Sequence, residues 1–204
     1  CFAIHLVCGN LAIIGLLFVA GWVGLKTSLH ADEARAAEVA QNMAAGLAAE
    51  IAGELRLVDN ALSSATSAYR AGLADEAGAL AIEKVLRHQE ELLPEVDAIR
   101  IAGPDGMVRV GLAQGAAPVN IADRGYFEAA RLTDGLAVSE PLQGRITRQW
   151  GIVLARRIEN RDGSFGGVAY ANLPSAHFAR SFSRLKQGKS GANSLRSKDH
   201  RRVA

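Results

Sequence analysis

The residues best suited to chemistry lie in three short stretches. ADRGYFEAAR (122–131) holds Arg124, Tyr126 and Phe127; RITRQW (145–150) holds Arg145, Arg148 and Trp150; VAYANL (168–173) holds Tyr170. A guanidinium is a planar fork that grips a carboxylate through parallel hydrogen bonds, and aromatic rings supply flat apolar walls. Arginine forks, aromatic walls and one or two hydroxyls are what a pocket for a small carboxylate-bearing ligand requires. Asp123 stands where an N-cap would open a helix, with Arg124 to Phe127 in its first turn. The simpler reading of the same residues is a capped amphipathic helix, Phe127 and Ala130 turned to the core and Arg124 left in solvent.

Other chemistry finds little support. QGKSG (187–191) echoes the end of a phosphate-binding loop, but Ser183 stands where the first glycine belongs and a helical pattern precedes it. His30, His88, His177 and His200 show no paired metal spacing, and Cys1 and Cys8 both fall in the apolar N-terminal segment. No serine sits in a G-x-S-x-G elbow. Asp97, Asp105, Asp134 and Asp162 fall at turns or strand ends, where Asp bonds its own backbone. The expectation is therefore no catalytic residue, no metal and no cofactor. The net charge of +2 hides an asymmetry: from Arg180 onward eight basic residues face the single acid Asp199. That tail carries no aromatic after Phe182, which argues against nucleic acid as a partner.

The elements that must position these groups follow from periodicity. Phe2–Leu25 carries no formal charge and is long enough to cross a bilayer as a helix, so 1–25 reads as a transmembrane helix with Trp22 near its end. From 26 to about 70 runs a long stalk helix, whose stripe Leu47, Ile51, Leu55, Val58, Leu62, Ala65 and Tyr69 steps by four and three. From Ser28 it would reach on the order of 60 Å at 1.5 Å per residue. A second helix covers about 78–93 and stops at Pro94. Beyond it the period becomes two: Ile99 and Ile101, then GPDG (103–106), then Val108 and Val110 mark a hairpin. LAVSE (136–140), WGIVLARRI (150–158) and VAYANL (168–173) read as strands, and Pro174-Ser175 opens a helix to about Leu185. The fold class is α+β: an antiparallel, PAS-like sheet of about five strands, with helices covering one face.

ADRGYFEAAR, VSEPLQGRITRQWGIVLARRI, DGSFGGVAYANL and HFARSF, in that order and spacing, resemble the membrane-distal lobe of Cache sensor domains. More specifically they are similar to the PDC-type, double-Cache regions found ahead of diguanylate cyclase and histidine kinase outputs in bacteria. The resemblance covers about 30–195 and implies a signal-transduction module outside the inner membrane, periplasmic or extracellular, with no catalytic domain of its own. It divides the chain into a span (1–25), a signalling helix (26–70), a distal lobe (71–187) and the start of a second lobe (188–204). It places Arg124, Tyr126 and Phe127 beside a ligand pocket, with Trp150 and Tyr170 as further walls. Amino-acid-binding members typically carry an aromatic directly after that arginine, where this chain has Gly125, which speaks against an amino-acid ligand. Asp199-His200-Arg201 stands where the second lobe usually opens with Asp-Gly. The partners expected are a small molecule, the membrane and a second copy joined through the long helix. The alternative is a ligand-free structural domain that dimerises through residues 30–65.

Overall fold

The computed structural model describes the backbone of residues 2–72 and 76–183, and their side chains apart from those of 2–14, 23–25, 27–34, 36, 72, 76–77 and 79. The chain divides into two compact units, Cys1–Gly53 and Glu54–Ala204. Helix α1 (Phe2–Gly72) is continuous across the apolar run and the stalk, which the sequence had suggested as separate segments. Among the described residues no helix is long and apolar enough to cross a membrane, so the transmembrane reading of 1–25 finds no support there. The expected opening of a second lobe at 188–204 and the QGKSG stretch lie outside the described residues.

Within the second unit, α2 (Glu76–Leu92) is followed by β1 (Ile99–Ala102) and β2 (Val108–Val110). Then come α3 (Gly125–Leu132), β3 (Leu136–Val138), β4 (Leu142–Gln143), β5 (Trp150–Glu159), β6 (Phe165–Pro174) and α4 (Ser175–Ser183). The strands make one antiparallel sheet in the order β2-β1-β6-β5-β3, with β4 also paired to β5. Sequence alternation locates the β1–β2 hairpin because its turn is written in glycine: Gly106 has φ +77°, and its N–H donates to the Gly103 carbonyl at 2.9 Å. β5 and β6 alternate poorly in sequence because they lie at the centre of the sheet. β6 is buried from Gly166 to Leu173, so both faces must be compatible with burial.

Side chains on one strand point alternately to the two faces. Arg100 pairs with Tyr170, Ala102 with Val168 and Asn172 with Val153, so these residues share one face. α3 packs on that face, burying Tyr126, Phe127 and Ala130 against Val153, Ala155, Val168 and Tyr170. Ile99, Ile101, Leu154, Ala169, Ala171 and Leu173 occupy the opposite face. There Arg156 Nη1 donates to Asp59 Oδ1 of α1 at 3.0 Å. His177 Nε2 of α4 lies 3.0 Å from Glu54 Oε2, which ties α4 to the same helix. Helices therefore lie on both faces, six strands among the described residues replace about five, and the two-residue β4 went unseen because so short a strand has no period.

Candidate functional site

The floor of the site is built from β1 and β6. Both strands read as apolar, yet each carries a polar residue on the α3 face: Arg100 is 6% exposed and Asn172 is 4% exposed. Asp97, just before β1, donates its N–H to the Asn172 carbonyl at 3.0 Å, and its Oδ2 lies 3.4 Å from Arg100 Nη1. Tyr126 of α3 closes over Tyr170, their ring centroids 5.6 Å apart. Ile121, Leu142, Val153 and Ile146 supply apolar walls.

The loop 144–149 straps the remaining side. Gly144 N–H donates to the Gln149 carbonyl at 2.8 Å, Arg148 N–H to the Gly144 carbonyl at 3.0 Å, and Gln143 Nε2 to the Arg148 carbonyl at 2.8 Å. Arg148 has φ +60°, a left-handed conformation uncommon outside glycine, and this small network holds it there. Arg145 latches the strap: Nη1 and Nη2 donate to Asp123 Oδ1 and Oδ2 at 2.9 and 2.7 Å, and Nη1 also reaches the Asn120 carbonyl. Asp123 therefore does not cap α3. The cap position falls on Arg124, extended at φ −86° and ψ 133° with no side-chain cap bond, because the carboxylate of Asp123 is committed to the strap. The strap closes a cleft with about 320 Å³ of empty space counting its mouth, but an interior of about 20 Å³, room for roughly one water.

Electrostatics follow from burial. The Tyr126 hydroxyl is pushed up to about 12 by burial, against the lowering pull of Arg124, Arg145 and Arg100. Tyr170 is raised as well, by burial first and then by Tyr126. The Arg145 fork holds the Asp123 carboxyl below the usual carboxylate range, and Arg145 is raised in turn. The polar atoms on the floor are the more telling. Arg100 Nε, Tyr170 OH and both amide atoms of Asn172 are buried and find no hydrogen-bond partner among the described residues. Buried groups of this kind are rare, and each leaves a donor or acceptor able to serve a ligand.

Of the residues singled out in the sequence, Tyr126, Tyr170 and Arg145 line this cleft. Arg124 stands outside it, with Nη2 donating to the Gln143 carbonyl at 3.3 Å and Nε buried without a partner among the described residues. Phe127 is 2% exposed and packs edge-on against Phe165, with centroids 5.7 Å apart, so it belongs to the core. Arg148 and Trp150 face a separate open depression bordered by Glu95, Pro174 and Arg180, where Trp150 is 61% exposed. Arg100, Asp97 and Asn172 were missed. Their signal was present: a charged residue and an amide inside the apolar runs IRIA and VAYANL are positions where burial demands a partner. Among the described residues no cluster of metal-ligating side chains forms.

No protein-family model matches the chain, and no curated protein matches it. Solved structures do. The extracellular domain of the histidine kinase rpHK1S-Z16 is 25% identical, with a TM-score of 0.64 over 72% of this chain and 61% of that one. The ligand-binding domain of the Pseudomonas fluorescens chemoreceptor CtaA, in complex with L-serine, is 19% identical, with a TM-score of 0.55 over 76% and 63%. That of the Campylobacter jejuni chemoreceptor Tlp3, in complex with 4-methylisoleucine, is 16% identical, with a TM-score of 0.52 over 74% and 64%. The chain has the fold of these sensor domains and spans a little over three fifths of their length.

Proposed function

We propose that this chain is a sensory module that binds a small molecule in the cleft beneath the 144–149 strap. It would form the extracytoplasmic, N-terminal part of a membrane-anchored receptor such as a histidine kinase or diguanylate cyclase. The observation that carries the reading is the convergence of Arg100 Nε, Tyr170 OH and the Asn172 amide, buried and unpaired among the described residues, on one cleft. A domain selected for stability alone would fill such positions with apolar side chains, since each unmet buried group costs about 1–3 kcal/mol. The sensor folds among the solved structures support the same reading, and two of them were crystallised with small amino acids or their analogues. The uncharged run Phe2–Leu25 is what would anchor the module.

The test is thermal unfolding of the full chain in detergent against a panel of small metabolites. At least one compound is expected to raise the midpoint in proportion to the logarithm of its concentration. Arg100→Ala, Tyr170→Phe and Asn172→Ala should each abolish that shift, whereas Trp150→Ala should preserve it. A panel without any stabiliser, or a shift indifferent to all three floor variants, defeats the proposal. One observation favours a second reading, a ligand-free dimerisation domain. Val39 and Met43, four residues apart on α1, are 57% and 37% exposed, the spacing of a helix-pairing stripe.

A further inference from the structure

Resting on the sensor reading, we infer that the cleft takes a small monocarboxylate whose neighbouring carbon bears an uncharged oxygen, a 2-hydroxy or 2-oxo acid, and that Asn172 makes it reject the matching amino acid. Three guanidiniums, Arg100, Arg124 and Arg145, act electrostatically on the Tyr126 hydroxyl, and two carboxylates, Asp97 and Asp123, pair with members of this group. Both are engaged: Asp97 lies 3.4 Å from Arg100 Nη1, and Asp123 lies 2.7 Å from Arg145 Nη2. Arg124 meets only the Gln143 carbonyl among the described residues. Asp123 feels Arg124 as well as Arg145, so three guanidiniums share two carboxylates and one net positive charge remains, which favours a ligand with one negative charge.

The donors are placed to receive it. Arg100 and Tyr170 are cross-strand partners, so Arg100 Nε and the Tyr170 hydroxyl rise from adjacent strands on the same face. A carboxylate accepting from both would satisfy two of the orphaned groups with charge-assisted bonds. The remaining orphan decides the second substituent. Asn172 lies two residues along β6 from Tyr170, on the same face, and a neutral amide can donate to a carbonyl or hydroxyl oxygen and accept from a hydroxyl proton. Among the described residues lining the cleft an ammonium would meet one carboxylate, Asp97, already paired with Arg100, and would be desolvated inside an already positive surround, an unfavourable transfer. Two glycines lie beside the amide. A Cβ at Gly151 would stand 2.7 Å from Asn172 Oδ1, and one at Gly144 would stand 3.8 Å from Asn172 Nδ2. Leu142, Ile146 and Val153 leave an apolar wall for a short alkyl group. Because the closed interior is about 20 Å³, such an acid enters only as the strap shifts.

The experiment compares acids that share a carbon frame on the full chain: L-lactate, pyruvate and L-alanine, then 2-hydroxyisovalerate, 2-oxoisovalerate and L-valine. Titration calorimetry is expected to show a hydroxy or oxo acid binding at least about 10-fold tighter than its amino-acid match. Asn172→Asp should move that ratio about 10-fold or more toward the amino acid, while Asn172→Ser, which stays neutral, should keep the preference for the acid. Denaturant midpoints confirm that each variant folds, and the serine variant still decides the matter if the aspartate one does not. An amino acid that binds as tightly as its hydroxy acid overturns this assignment and leaves the sensor reading intact. Failure of both sets of acids also overturns it, and the sensor reading then depends on the wider metabolite panel.

Discussion

The residues that matter most here are polar side chains on strands that otherwise belong to the core. Arg124 looked the best candidate in the sequence because it begins a recognisable stretch, yet it supports the strap from outside the cleft. The amide of Asn172 inside the apolar run VAYANL signals a buried polar group, but which residues it meets is set by cross-strand neighbours that the local sequence does not record. Asp123 was misread for a related reason: a capping aspartate and an ion-paired one look alike locally, and its partner Arg145 lies far along the chain. The tyrosines give a test that needs no ligand. Both are held neutral by burial, Tyr126 up to about 12 against the ordinary 10. Below pH 10 neither the folded nor the unfolded chain releases the proton, so these hydroxyls leave stability unchanged there. Above pH 10 the unfolded chain ionises first, and stability falls as pH rises toward the folded value. Denaturant midpoints measured from pH 9 to 12 should decline, with Tyr126 accounting for on the order of 2 kcal/mol at the alkaline end. Tyr126→Phe should flatten part of that decline. An unchanged pH profile in the variant would place the hydroxyl in solvent.

At the scale of elements, periodicity served where a segment is long or half-buried and failed where it is short or covered on both sides. The β1–β2 hairpin and the stripe on α1 were legible, because alternation and three-four spacing follow directly from one buried face. β4 has two residues, and the placement of α3 opposite α1 depends on strand pairing that local sequence does not record. The α1 stripe can be checked against its own far side. Leu62 is fully buried, whereas Leu57 on the same helix is 55% exposed. Leu62→Ala should lower stability by about 2–5 kcal/mol, through lost transfer energy and the cavity it leaves. Leu57→Ala should stay within about 0.5 kcal/mol. Equal losses from the two, read as shifts in the urea midpoint, would mean that α1 buries a different face. Close to that stripe, α1 is also pinned to α4 by the Glu54–His177 hydrogen bond and to β5 by the Asp59–Arg156 ion pair.

At the scale of the whole molecule, the two compact units differ in what holds them. The second has a sheet with a packed layer on each face. In the first, the described side chains from Ala37 to Glu50 are exposed apart from a half-buried Leu47. A helix that buries nothing is only marginally stable in water, because nucleation is costly and most helical stability in proteins comes from packing. Residues 37–50 should therefore exchange their amide hydrogens far faster than β5 and β6, unless another surface covers them. A ligand in the cleft should slow exchange in β1, β6 and the 144–149 strap, since binding the folded state alone raises the cost of opening the elements it touches. It should leave 37–50 unchanged in dilute protein. Repeating the measurement across a range of protein concentrations separates the two readings of α1. If Val39 and Met43 pair with a second copy, protection at 37–50 grows with concentration and disappears in a Val39→Glu, Met43→Glu variant, whose cleft still binds. Protection that is high at every concentration and survives both substitutions would defeat the idea that this stripe joins two copies.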